Sequence, residues 1–272
     1  MTKPVTDSTI AELRNAIRRL PDASSLSQRR RKALENDLRE VVEQLGNQLA
    51  ILDPIVQPTS VFDPSNPKIV GRFVSLALVA QQRHSLSIIP RSYGSGVYAI
   101  YYIGDFSAYS PITRTETPIY VGQAAPIVSN ARTPRDQGAR LCSRLSDHRK
   151  NIAKATTTLK LEDFEFRSLV VQSGWETAAE DYLIHLFRPI WNSETSILYG
   201  LGKHGDSAET RANSRSPWDT LHPGRAWAAK SKADAKSSTT IIGELTNHFS
   251  KHPAFKGLDG VLASFLDELR QA

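Results

Sequence analysis

The polar and apolar positions change period several times along the chain, and each change marks an element. Over residues 9–20, Ile10, Leu13, Ile17 and Leu20 recur at helical spacing, Thr9 and Glu12 fit a capping box, and Pro21 stops the run. Residues 27–52 carry Leu34, Leu38, Val41, Leu45 and Leu49 at near-heptad spacing. That spacing predicts a long helix whose stripe meets either another subunit or the protein's own core, and both readings stay open. Pro54, Pro58, Pro64 and Pro67 then forbid a regular element and predict a connector. A short apolar helix is expected over 67–82, with Pro67 in its first turn.

From Gly96 the pattern shortens to that of strands. GVYAIYYI (96–103), PIYVG (118–122) and FEFRSLVV (164–171) are rich in β-branched and aromatic residues. Helical spacing returns over 139–155 and 175–188, the second run stopped by Pro189. The order β-β-α-β-α predicts an α/β (α+β) fold: a small three-stranded, mostly antiparallel sheet flanked by helices, with helical extensions at both ends. Residues 193–236 read as irregular, with glycines, histidines and cations, and a last helical stretch over 241–269 breaks near His252-Pro253. The expected division is an extension and connector (1–66), a core (67–192), an irregular segment (193–236) and a carboxy-terminal extension (237–272).

Composition narrows the classes. At 272 residues and 40% hydrophobic, the chain can bury a core, so wholesale disorder is excluded. A formal charge of +6 shifts the balance modestly towards an anionic partner. The single cysteine, Cys142, excludes an intrachain disulfide framework and a cysteine-rich zinc site, and fits a reducing cytoplasm. The amino terminus shows no apolar signal region, and the longest apolar stretch, residues 73–80, is too short to cross a bilayer. A soluble cytoplasmic protein is expected.

Several polar residues sit where packing alone would not place them. Arg144 and His148 are four apart on one helical run, and His148 falls inside the stripe of Leu141, Leu145 and Ile152. An inward histidine is either a hydrogen-bonded core residue or a catalyst. On the next run Glu180 neighbours Leu183, Ile184 and Phe187, a costly place for a carboxylate unless it is paired or metal-bound. Glu176 is nearly as inward, and burial does not separate the two. The strands add Tyr98 and Tyr102 on one face with Ile100, Tyr101 and Ala99 on the other, and Tyr120 central in the second strand.

Taken in order, Gly96-Val97-Tyr98, Tyr120-Val121-Gly122, Arg144 with His148, then Glu180, Pro189 and Asn192 resemble the GIY-YIG nuclease superfamily. The resemblance favours Glu180 over Glu176, because Leu183-Ile184 follow it three residues on, with Pro189 and Asn192 beyond. An Arg-x-x-x-His helix and the segment SPWDTLHPGR (216–225) are similar to the restriction-enzyme branch that cuts GC-rich palindromes of the CCGCGG type. It extends over about 60–230, leaving the end helices unmatched. The first tripeptide reads GVY and the second YVG, and the loop between them is long.

The resemblance implies a type II restriction endonuclease hydrolysing double-stranded DNA with one Mg²⁺ per active site and no nucleotide cofactor. In it Glu180 would hold the metal and Arg144 the scissile phosphate. Tyr98 would take the proton from the attacking water, with His148 orienting or relaying and Tyr120 positioning the water or phosphate. Asn192 would hold the glutamate or a backbone turn. Lys203, His204, Arg211, Asn213, Arg215 and Arg225 are candidate contacts to guanine edges or phosphates, and Arg132, Arg135 and Arg140 to phosphates. Acting on both strands of a palindrome implies a homodimer, or a homotetramer if the extra helices associate. Two other readings compete: a homing or repair nuclease with the same core, and a non-catalytic nucleic-acid-binding protein that kept the fold.

Overall fold

The computed structural model describes residues 5–22, 25–52, 55, 61–202, 214–231 and 233–270. The chain divides into two compact units, Met1–Val61 and Phe62–Ala272. The first unit holds α1 (Val5–Arg18) and α2 (Gln28–Leu52). No side chain of α2 is buried.

The second unit is built on a four-stranded antiparallel sheet in the order β1-β4-β2-β3. These are β1 (His84–Ser85), β2 (Gly96–Tyr102), β3 (Tyr120–Ala124) and β4 (Phe164–Val170). Three strands were expected; the fourth, β1, has only two residues, too few to leave a period in the sequence. Around the sheet lie α3 (Pro67–Val79), α4 (Pro134–Gln137), α5 (Arg140–Ile152) and α6 (Glu176–Phe187). The chain continues through β5 (Ser214–Arg215), α7 (Pro217–Leu221), β6 (Ala233–Asp234), α8 (Ser238–Lys251) and α9 (Leu258–Arg270). No helix among the described residues is long and apolar enough to cross a membrane.

Central β2 is buried at all seven residues, which is why its sequence is a nearly continuous apolar run instead of an alternating one. Tyr98, Ile100 and Tyr102 belong to one core, with Leu141, Leu145 and Ile152 of α5. Val97, Ala99 and Tyr101 belong to the other, with Leu78 and Val79 of α3 and Ala179, Leu183 and Phe187 of α6. The carboxy-terminal stretch is a working part of both cores: Ile241 and Leu245 of α8 join the first, and Val261 of α9 the second. The described residues between 193 and 236 are likewise less irregular than expected. Ser216 caps α7 by accepting from the Asp219 N–H, and Trp218 is fully buried.

Candidate active site

Strand pairing sets the site. Antiparallel register places Tyr98 of β2 opposite Gly122 of β3, so the two tripeptides face one another. A Cβ on Gly122 would lie 2.4 Å from the Tyr98 phenol oxygen and 2.6 Å from its ring carbon, a separation no side chain tolerates. The glycine is therefore the floor on which the Tyr98 phenol rests. Gly96 has a separate reason: its φ is +151°, and a Cβ there would meet the Leu169 carbonyl oxygen at 2.0 Å.

Helix α5 supplies the third wall. Leu141, Leu145, His148 and Ile152 are its buried face, so His148 lies in the apolar stripe, as its spacing implies. The Tyr98 phenol oxygen is 2.7 Å from His148 Nε2, and the Tyr120 ring centroid is 4.7 Å from the imidazole. Burial, helped by the charge of Arg144, pushes the histidine down to about 3, so it is neutral at physiological pH. Its Nδ1 is buried without a hydrogen-bond partner among the described residues. Burial drives Tyr98 well above the usual phenol value, with Tyr120 adding to the rise. Tyr120 is raised as well, first by burial.

Two charges bracket these phenols. Arg144 lowers and Glu180 raises the pKa of both Tyr98 and Tyr120, so both charged groups face the same pair of rings. Yet Arg144 and Glu180 form no ion pair with each other, and neither has a salt bridge to any other described residue. Burial lifts Glu180 to about 7, against the opposing hydrogen bonds from the Gln123 side chain and backbone; Glu194 and Asp181 lift it further. Gln123 was not singled out in the sequence. It directly follows the second tripeptide and faces Val97 across the strand pair, and that adjacency was the only signal for it.

Glu176, the alternative carboxylate, is occupied structurally. One oxygen accepts from Ser95 Oγ at 3.1 Å and the other from the Gly174 N–H at 2.7 Å, which ties the start of α6 to the start of β2. Asn192 sits 5% exposed beside edge strand β3. Its Oδ1 accepts from the Val121 N–H and its Nδ2 donates to the Val121 carbonyl, both at 2.9 Å. The side-chain amide thus stands in for a neighbouring strand and fixes the backbone between Tyr120 and Gly122.

The expected DNA contacts separate into three groups. Lys203, His204, Arg211 and Asn213 lie outside the described residues. Arg132 and Arg135 are exposed, while Arg140 is half-buried with Nε donating to the Ala125 carbonyl at 2.8 Å. Arg215 is partly exposed and bound to Asp234 at 2.6 Å. Arg225 requires a correction, because it is only 3% exposed and cannot present its guanidinium to a groove. It makes a two-pronged pair with Asp219 at 2.6 and 2.7 Å, donates to the Gly200 and Leu201 carbonyls, and lies over the Trp218 ring. Asp219 is buried with it, so the SPWDTLHPGR segment contributes a folded clamp, not a reading arginine at its end. Nearby, His222 contacts the Tyr109 hydroxyl through Nε2 and Thr158 through Nδ1, and the Trp191 indole donates to Tyr109.

The donor set suits a hard cation that needs few protein ligands. Glu180 is a half-buried carboxylate with no cationic partner among the described residues, and no described cluster of three His, Cys, Asp or Glu surrounds it. A carboxylate so placed could serve a divalent cation that takes one or two carboxylates and completes its shell with water and phosphate oxygens.

A family description for the Eco29kI GIY-YIG domain matches residues 91–249. No curated protein matches the chain. The matched span contains every residue placed around the two phenols, from Tyr98 and Gly122 to Arg144, His148, Glu180 and Asn192. More than half of the chain lies within it, and the protein belongs to the Eco29kI-type GIY-YIG family, a restriction-type group of DNA endonucleases.

Proposed function

We propose that this protein is a type II restriction endonuclease that uses Mg²⁺ to hydrolyse both strands of a short GC-rich palindrome, as the cleaving half of a bacterial, cytoplasmic restriction-modification system. The observation that carries the reading is the bracketed pair of phenols. Tyr98 and Tyr120 both feel an arginine and a carboxylate that have no ion-pair partner among the described residues and do not neutralise each other. A phosphodiester satisfies the first and a cation the second.

In this reading Arg144 holds the scissile phosphate with its fixed fork of donors. Glu180 holds one Mg²⁺, which neutralises charge on the phosphate and the leaving oxygen when bound. A phenolate is out of reach in the free protein, because Tyr98 titrates well above 10. The neutral His148, with Nε2 unprotonated, accepts a hydrogen bond from the Tyr98 phenol across the 2.7 Å contact and so orients it towards the attacking water. Arg144 favours the phenolate, and a cation held at Glu180 would favour it further, so Tyr98 would take the water's proton once metal and substrate are bound. Tyr120 packs against the imidazole and positions the water, while Asn192 keeps its strand in place.

Specificity for a CCGCGG-type site is proposed from the resemblance of 216–225 to that branch. Arg132, Arg135 and Arg140 would meet phosphates, and Arg211 and Arg215 base edges. Cutting two strands related by a two-fold axis calls for two copies of the site, as a dimer or tetramer.

The test is incubation of the purified protein with phage DNA, with and without Mg²⁺, followed by sequencing of the fragment ends. Discrete cuts at one palindrome that vanish with EDTA are expected. Glu180→Ala should abolish them while binding persists. Cleavage by Glu180→Ala at a near-normal rate would refute the metal assignment.

A further inference from the structure

The second helix has a face that nothing in its own unit covers. Helix α2 runs for 25 residues, none of them buried, and half of the exposed large apolar side chains among the described residues fall in the first unit. Along α2, Leu38 is 37% exposed, Val41 42%, Leu45 37% and Leu49 66%. An exposed apolar groove of about 620 Å³ runs along the same helix, lined by Leu26, Leu34, Leu38 and Val42 with charged residues at its rim. A solitary helix with such a stripe is marginal in water, since most helical stability comes from burying the apolar face.

We infer that α2 pairs with α2 of a second copy of this chain, antiparallel and about a two-fold axis near residues 39–40. The argument is one of register. Leu34 and Val41 take one seam position of the heptad and Leu38 and Leu45 the other. Run antiparallel, Leu38 of one copy faces Val41 of the other, and Leu34 faces Leu45, so every apolar seam residue of the central turns meets an apolar one. The flanking layers pair Arg31 with Gln48, a polar match at each end.

Charge selects the same arrangement. Arg29, Arg30, Arg31 and Lys32 form a block of four cations at the start of α2, whereas residues 44–52 carry no charge. A parallel pair would stack the two cationic blocks on each other. The antiparallel pair sets each block beside the other copy's uncharged end and also opposes the two helix dipoles. On the flanks, Glu35 meets Val42 and Asp37 meets Gln44, so no like charges touch. The inference rests on the α2 seam and not on the reaction, so it stands or falls separately from the nuclease reading.

The test uses the full chain and its mass in solution by light scattering. Leu34→Glu and Leu45→Lys, each alone, bury a charge against leucine and should halve the mass of the wild-type assembly. An equimolar mixture of the two variants should restore it, because residue 34 of one faces residue 45 of the other. The residues lie eleven apart on their own helix and cannot pair within a chain. Circular dichroism checks that each variant remains folded. An unchanged mass in the single variants would overturn the inference, as would a wild-type monomer. A fall in melting temperature without a change in mass would show that the seam packs on its own chain, and failure of the mixture to recover would refute the antiparallel register.

Discussion

Replacing Glu180 by glutamine separates what this side chain does for catalysis from what it costs the fold. Burial raises its carboxyl from 4.5 to about 7, so between those values the folded state holds a proton that the unfolded chain has released. Ionising the group therefore destabilises the native protein. The penalty is absent below pH 4.5, grows as pH rises, and is complete above about 7. At 1.36 kcal/mol per pKa unit the full shift is worth about 3 kcal/mol, and partial solvent access reduces it to roughly 1–3 kcal/mol. Glutamine keeps the shape and the acceptor for Gln123 but never ionises. Without metal, Glu180→Gln should match the wild type in stability near pH 4.5 and exceed it at pH 8. A unit of about 200 residues gains roughly 2–4 °C per kcal/mol, so a difference of about 2–12 °C is expected by thermal denaturation at pH 8. Adding Mg²⁺ should raise the wild-type midpoint and leave the variant unchanged. A variant no more stable than wild type at pH 8, or a gain equal at both pH values, would refute the claim that an uncompensated buried charge sits at residue 180. The same titration predicts that wild-type cleavage rises with pH through about 7, with higher Mg²⁺ moving the rise to lower pH.

Gly122→Ala brings a methyl group 2.4 Å from the Tyr98 oxygen, and should cost about 1–3 kcal/mol of stability and lower cleavage by on the order of 100-fold as the phenol is displaced; a variant with wild-type kinetics would show that the phenol's seat is unimportant. His148, held near 3, should show no imidazole titration by NMR between pH 5 and 8, and a midpoint near 6.5 would contradict its burial beside Arg144. Arg225→Ala leaves the buried Asp219 without its guanidinium, and should lose about 3–5 kcal/mol of stability. Its DNA binding, measured on protein still folded at low temperature, should fall equally on cognate and scrambled duplexes; a loss confined to the cognate site would restore Arg225 as a reader of sequence.

The sequence by itself determined the three long strands and the longer helices, because periods of 2 and 3.6 are written into the order of apolar residues. It also placed His148 on an inward face, since position on a helix follows from spacing alone. Local chemistry stopped short wherever the answer depended on residues distant in the chain. Glu176 and Glu180 look equally inward on one helix, and only the approach of Ser95, eighty-one residues earlier, shows that Glu176 is already engaged. Gly122 reads as a turn or strand glycine until register brings the Tyr98 ring onto it. Arg225 reads as a surface cation in a polar segment. Tertiary folding instead buries it against Asp219, Trp218 and two backbone carbonyls, because a buried guanidinium persists only where its donors are paired. Helical spacing and charge order are local properties and survive in the sequence. Register, burial and partnership arise only when the chain closes on itself, and these decided which carboxylate is engaged by Ser95 and which arginine is closed off by Asp219.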